Sequence, residues 1–442
     1  MMRIMPSKPR LDHILTAVLA IFVVISLAFS AMIWTGTPVR LTIDRLGFFS
    51  SPSYGNTKQP SLVLQPRAIF YWTQGNELYR IGANSETAHQ LLRALANTTI
   101  APGKSYGISS SPYAFPPEGA YIRLNFGASV LAPSVLSMLF LATPANLETA
   151  VDGSLYITAH GHEFRLEYQT ANHHEYVAVL QAPQTLAALM TKPDQALPYA
   201  QIPLAKTIAY LPYTTINMPM EDWMIDRPVS SHIIDSFFLD PTLLETVTSA
   251  PHDVLYTDGM RGVQVTRGVF GDNISYAEPS GRLVGVPEHS ADAVATAVTF
   301  VNEHGGFVGD VSLQIKPATM AKGGYDITFT QMVDGWPVYG ELGTVHVNVF
   351  GNTVVNMSRP LAYLNGLLDT TSTHVLSGTA VLQKLGPAAV KSIVKIALGY
   401  GTRWLGTDIV ELVPVYCLTY GTGRKDYVDA QTGLPFSGTG MN

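Results

Sequence analysis

The sequence predicts an α+β protein: one N-terminal transmembrane helix, then a multi-domain extracytoplasmic region of antiparallel sheets with packed helices, its last two units repeating a helix-plus-meander pattern. Three observations predict it. Ile14 to Trp34 is a run of 21 residues without a charge. Short apolar segments separated by Gly, Asn, Asp and Pro turns fill much of the remainder. Helical patterns are few, and the last two are each followed by several strands, a two-layer arrangement.

At 1.5 Å per residue the apolar run crosses a hydrocarbon core of roughly 30 Å. Arg3, Lys8 and Arg10 precede it with no acid before Asp12, which favours a cytoplasmic N-terminus and places the rest across the membrane. Ala28-Phe29-Ser30 offers small residues at signal-peptidase spacing, the competing reading. Against cleavage, the apolar run exceeds the roughly 7–15 residues of a signal core. On a helix, Thr16, Ala20, Val23, Ser26, Leu27 and Ser30 share an arc of about 120°. Small and hydroxyl residues on one face let a partner helix approach closely.

From Thr35 to about Pro60 the chain is rich in Ser, Pro, Gly and Thr and reads as a stalk. Ala68–Trp72 and Glu77–Ile81 then read as strands about a Gly75-Asn76 turn, and Ser85 opens an amphipathic helix carrying Ala88, Leu91, Leu92 and Leu95. Further strands are expected at Tyr121–Phe126, Leu155–Ala159, Phe164–Tyr168 and Glu175–Leu180, with a short helix at Pro133–Phe140. Pro183–Pro203 lacks clear alternation and reads as a boundary. A strand at Thr207–Leu211, a helix around Ser231–Phe238, a helix from Asp240-Pro241 through Val247, and strands at Val254–Thr257, Val263–Thr266 and Asn273–Ala277 follow. The repeat comes next. A helix from Ser290 to Glu303 precedes strands between Val311 and Met357, and a helix over Ala380–Leu385 precedes strands between Val394 and Asp429, with Val-Pro-Val-Tyr at 413–416 echoing Trp-Pro-Val-Tyr at 336–339. The resulting division is a tail (1–13), a span (14–34), a stalk (35–61), an N-terminal α+β domain (62–190), a central domain (200–370) and a C-terminal α+β domain (371–442).

Beyond the span some four hundred residues remain, enough for two to four domains. The tail holds three of the 27 basic and one of the 33 acidic residues, so the remainder carries a net charge of −8. That balance argues against nucleic acid as a partner. A single cysteine, Cys417, excludes an intramolecular disulfide, so an exported chain must be held together by burial.

His160, His162, His173, His174 and Glu175 form the densest polar cluster, but hydrophilic hairpin tips hold His readily and no HExxH or Cys pair accompanies them. Asp258-Gly259 has the composition of a hairpin turn, where Gly takes the positive φ. No Gly-x-Ser-x-Gly elbow or phosphate loop is present. The residues thus assemble no acid, base and oxyanion site, and no catalytic activity, cofactor or metal is expected.

Leu211-Pro212, Phe237-Phe238-Leu239-Asp240-Pro241, Tyr256-Thr257-Asp258-Gly259 with Arg261-Gly262, and Ser275-Tyr276 together resemble the YycH family of envelope regulators. Asp334-Gly335-Trp336-Pro337-Val338-Tyr339 and Tyr427-Val428-Asp429-Ala430-Gln431-Thr432-Gly433 are similar to a pattern shared by YycH and YycI, the last also by small PepSY modules. The resemblance implies a YycH-like central domain and a YycI- or PepSY-like C-terminal one. It implies a non-enzymatic regulator, in the cell membrane, that associates with a sensor histidine kinase of the WalK (YycG) type in cell-wall homeostasis, with a YycI-like protein as a second candidate partner. The kinase contact is expected along the helix face, while Asp240, Pro241, Tyr256, Asp258, Gly259 and Arg261 are expected to serve structure. The alternative from the residues alone is an independent binding protein for wall polymer or peptide.

Overall fold

The computed structural model describes residues 55–441 apart from 103, 109–118, 127–131, 144–152, 162, 170–173, 182–184, 205–206, 280–289, 318–323 and 407, together with helical, exposed Leu19, Phe22, Val23 and Ser26. Residues 1–50 and 51–442 are separate compact units. The expected span lies, but for those four residues, outside the described residues. Among the described residues no helix is long and apolar enough to cross a membrane.

Antiparallel pairing builds the second unit. A ten-stranded sheet runs in the order Ile208–Pro212, Leu197–Pro203, Leu78–Gly82, Ala68–Trp72, Tyr121–Asn125, Ser154–His160, Glu163–Gln169, His174–Gln181, Thr99–Ile100, with Lys104–Ile108 also on His174–Gln181. A nine-stranded sheet runs Glu245–Ala250, Asp253–Thr257, Gly262–Arg267, Asp272–Ala277, Thr353–Pro360, Thr344–Phe350, Gly324–Val333, Asp310–Pro317, with Trp336–Pro337 joined to Gly324–Val333. A five-stranded sheet orders Tyr363–Thr371, Met220–Asp226, Ile409–Tyr420 and Ile393–Gly406, with Lys425–Asp429 on Ile409–Tyr420. Ile216–Asn217 pairs with His374–Val375 as a fourth, small ladder.

Two cores hold these sheets together. Strand Ala68–Trp72 shows how: its successive side chains point to opposite faces, so Ile69 and Tyr71 enter one core and Ala68 and Phe70 the other. The first core unites the helices Glu86–Ala96, Ala132–Leu139 and Ser290–Glu303 with the apolar face of the nine-stranded sheet, where Ile327, Phe329, Val347 and Met357 are buried. In the second, Phe70, Leu78 and Leu211 meet Ile396, Leu398, Val410 and Leu412 of the five-stranded sheet and Val381 of helix Gly378–Leu385. Ahead of the first sheet the chain is fastened to the far end of helix Ser290–Glu303. Asn56 exchanges backbone hydrogen bonds with Phe307 at 2.7 and 2.9 Å, and Asn302 accepts from the Lys58 amide at 2.9 Å and donates to its carbonyl at 2.8 Å.

Several local expectations hold and two do not. Ser85 accepts from the Ala88 amide at 3.2 Å and caps the helix that buries Ala88, Leu91 and Leu95. Asn76 takes the positive φ of the first hairpin. The helix expected from Asp240-Pro241 through Val247 is instead a single 3₁₀ turn, Pro241–Leu243, followed by strand Glu245–Ala250. Asp240 and Pro241 do start a turn, but β-branched Thr246, Val247 and Thr248 favour the extended ladder against Val254–Tyr256. Leu197–Pro203, in the stretch without alternation, is also a strand, and only Tyr199 along it is fully buried.

Candidate partner-binding surface

The motif residues between Phe237 and Tyr276 gather on the nine-stranded sheet and the turn leading into it, while Leu211-Pro212 lies on the ten-stranded sheet and Tyr427-Val428-Asp429 on the five-stranded one. Asp240 accepts from the Thr242 amide at 3.0 Å and hydroxyl at 2.6 Å, which holds its carboxyl below the usual range. Pro241 supplies the first residue of the turn, where no amide hydrogen is needed. Tyr256 is half-buried against the first core. Asp258 accepts from the amides of Met260 and Arg261 at 2.9 and 2.7 Å, and Gly259 at φ 85° completes the hairpin. Arg261 turns back to the Phe237 carbonyl at 3.4 Å and to Glu278 at 3.9 Å. Phe237 itself is stacked on Tyr276 and His304, with ring centroids 5.1 and 4.1 Å away. This scaffold turns other side chains outward. Leu239, Leu243 and Met260 are 63–70% exposed, and Val247 is exposed beside them.

Chain connectivity brings Leu239, Leu243 and Met260 to the same end of the sheet. Arg261, next to Met260, bonds the Phe237 carbonyl two residues before Leu239, and Glu245, two residues after Leu243, pairs with Thr257. All six residues of strand Glu245–Ala250 are exposed, and among the described residues the strand pairs only with Asp253–Thr257. An unpaired strand edge bordered by apolar side chains is a template for a partner's extended segment.

The second motif, at 334–339, lies where the three large sheets meet. Asp334 and Gly335 take positive φ of 50° and 76°, and the Arg80 guanidinium, from the ten-stranded sheet, lies 3.5 Å from the Trp336 ring centroid and donates to the Gly335 carbonyl at 2.8 Å. Glu221, of the five-stranded sheet, is 3% exposed and accepts from Trp223 Nε1 at 2.8 Å. Burial, with the Asp334 carboxyl beside it, raises the Glu221 pKa above 4.5, against the opposing Trp223 bond. A raised folded-state pKa means that Glu221 favours the fold when protonated, and that this contribution fades as pH rises through the raised value. Glu221→Gln is therefore expected to gain stability over the parent chain as pH climbs above 4.5, by about 2 °C in Tm, in paired melts.

The remaining candidates are dispersed. Val23 and Ser26 are helical and exposed, while Thr16, Ala20, Leu27 and Ser30 lie outside the described residues. His160 is exposed with Nε2 3.8 Å from Glu167; His162 and His173 lie outside the described residues, and Glu175 is opposite Gln169. Cys417 is buried, which pushes its thiol pKa up. Strand Glu245–Ala250 and the exposed Leu239, Leu243 and Met260 were not anticipated; the Thr-Val-Thr run was the available signal.

Three large antiparallel sheets with few helices packed on them define a multi-sheet protein class. Residues 206–427 match the family described as YycH protein, C-terminal domain. The chain belongs to the YycH family. In structure it is similar to the crystal structure of YycH from Bacillus subtilis, with 14% identity and a TM-score of 0.64 over 87% of this chain and 99% of that one. Weaker likenesses are an uncharacterized protein from Eubacterium rectale (13% identity, TM-score 0.37, 56% of this chain and 92% of that) and the Bacillus megaterium YpeB C-terminal domain (14%, 0.28, 48% and 96%). A search of the curated proteins finds no match.

Proposed function

We propose that this chain is a non-enzymatic, membrane-anchored regulator that associates with a sensor histidine kinase of the WalK type and tunes its activity in cell-wall homeostasis. Membership of the YycH family is the observation that carries the reading. The bare edge at Glu245–Ala250, with Leu239, Leu243 and Met260 beside it, supplies an outer contact surface. The helix face of Thr16, Ala20, Val23, Ser26, Leu27 and Ser30 supplies an intramembrane contact, with the tail in the cytoplasm and the sheets outside. A YycI-like protein is the second partner this arrangement accommodates.

Co-purification of full-length protein from solubilised membranes, with quantitative mass spectrometry of the kinase, tests both contacts. Joint replacement of Leu239, Leu243 and Met260 by Asp is expected to reduce kinase recovery about tenfold, with melting little altered because those side chains are exposed. Joint replacement of Thr16, Ala20 and Ser30 by Leu is expected to reduce it similarly while insertion persists. Full recovery by both variants, or no kinase with the parent chain, would sink the reading.

A further inference from the structure

The nine-stranded sheet has a second face, opposite helix Ser290–Glu303, and its chemistry is distinctive. Register aligns Gln314, Thr328, His346, Ser358, Ser275 and Gln264 in one transverse row across six strands. Asp326 and Asn348 stand opposite one another in the adjacent row. Alternation along the strands puts all of these on the side away from Ile327, Phe329, Val347 and Met357. The row is made of amides, hydroxyls and one imidazole, without a lysine or glutamate.

At one end this face hollows into a cleft of about 370 Å³ lined by Gln314, Asp326, Ile327, Thr328, His346 and Asn348, a volume within the range of small-molecule sites. Its polar groups are fixed by one another. Asp326 Oδ1 accepts from Asn348 Nδ2 at 2.5 Å, so the other carboxylate oxygen and the Asn348 carbonyl oxygen remain as acceptors. With its amide oriented so that oxygen rather than nitrogen faces Arg67, Gln314 accepts from Arg67 Nη1 and Nη2 at 2.8 and 2.7 Å, and its NH₂ donors then point away from the guanidinium. Thr328 Oγ1 is 3.1 Å from His346 Nδ1, leaving the opposite ring nitrogen for a ligand. Desolvation of the ring, then the charge of Lys425, holds the His346 pKa below its usual value against the pull of Asp326, so the ring is neutral at pH 7.

We infer that this cleft binds a hydroxyl-rich, uncharged saccharide chain, laid along the polar row of the sheet. Each hydroxyl of such a ligand both donates and accepts, and the cleft offers pre-positioned donors and acceptors side by side. A peptide would need apolar pockets for its side chains, and Ile327 is the one apolar residue of the lining. The one charged group among the lining residues is the Asp326 carboxylate, whereas Arg67, engaged by Gln314 and Thr330, and Lys425 stand outside the lining, so an anionic ligand meets a like charge. The inference is independent of the kinase reading, which uses the sheet edge and the membrane helix.

Saturation-transfer NMR on the full-length protein in detergent micelles tests it, with chitotetraose and cellotetraose as saccharide probes and tetraglycine as the peptide probe. Signal transfer to at least one saccharide is expected, with affinity about tenfold weaker in Asp326→Ala and in His346→Ala. Gln90→Ala, exposed on helix Glu86–Ala96 and no part of the polar row, should bind as the parent does, and far-UV circular dichroism and melting confirm that each variant is folded. If Asp326→Ala fails to fold, His346→Ala alone decides. No transfer to either saccharide, equal affinity in the folded cleft variants, or transfer to tetraglycine that the same variants abolish would overturn the assignment.

Discussion

Trp336→Ala is expected to lower the stability of the folded chain by about 4 kcal/mol, the largest effect of any substitution considered. The indole is 8% exposed and belongs to the second core, so truncation removes a large buried surface and leaves a cavity between sheets. It also strips the π face from Arg80, which is 4% exposed, with its guanidinium 3.5 Å from the ring centroid. A charge so placed without its aromatic partner stays desolvated and poorly compensated. Trp336→Phe keeps a ring face and should cost about half as much. Arg80→Met, which fills similar volume without a charge, should cost less than Arg80→Ala. Urea titration of the four variants, at unchanged m-value, reads these differences. A loss below about 1 kcal/mol for Trp336→Ala would show that the stack does not fasten the sheets.

Gly399→Val is expected to cost about 3 kcal/mol or more, by overpacking rather than by cavity formation. A Cβ at this position would stand 2.5 Å from the Pro337 carbonyl oxygen and 2.6 Å from Tyr339 Cε2. Backbone cannot rotate aside as a side-chain end can. Pro337 is held opposite Met332 in the nine-stranded sheet, and the Tyr339 amide donates to the Tyr400 carbonyl at 2.8 Å. The added side chain must therefore part the five-stranded sheet from residues 337–339. Gly421→Ala is the control, since its Cβ would meet nothing nearer than Val394 Cγ1 at 3.8 Å. Hydrogen exchange at the Tyr339 amide should quicken in Gly399→Val and stay slow in Gly421→Ala. Unchanged exchange and melting in Gly399→Val would refute the close-approach argument.

Much of the antiparallel pairing was legible because alternation and turn chemistry act locally. Ser85 and Asn76 each do in the fold what their neighbours in sequence suggest. Legibility failed where two local signals compete or where tertiary contact decides. Asp240-Pro241 carries a helix-start signal, and it is honoured for one turn before Thr246, Val247 and Thr248 take over. Leu197–Pro203 lies between Leu78–Gly82 and Ile208–Pro212 with most of its residues half-buried, so no apolar period marks it. The Arg80 and Trp336 pair could not be read, because no local pattern links two residues so far apart in the chain. The polar cleft was hidden for the same reason: Gln314, Asp326 and His346 look like ordinary outward residues until the register aligns them. The Asp-Gly turn was legible as a turn, but not as the support of exposed Leu239 and Met260.

The fastening of Asn56 and Lys58 to Phe307 and Asn302 also sets where mechanical load would travel. Tension applied to the chain ahead of Gly55 reaches the end of helix Ser290–Glu303 and the neighbouring Asp310, to which Lys58 Nζ donates at 3.3 Å, before it reaches strand Ala68–Trp72. Reciprocal bonds at both residues share that tension instead of yielding one at a time. The nine-stranded sheet, with its bare edge and polar cleft, is therefore the first body to feel a pull from the N-terminal side, and the ten-stranded sheet is shielded behind it.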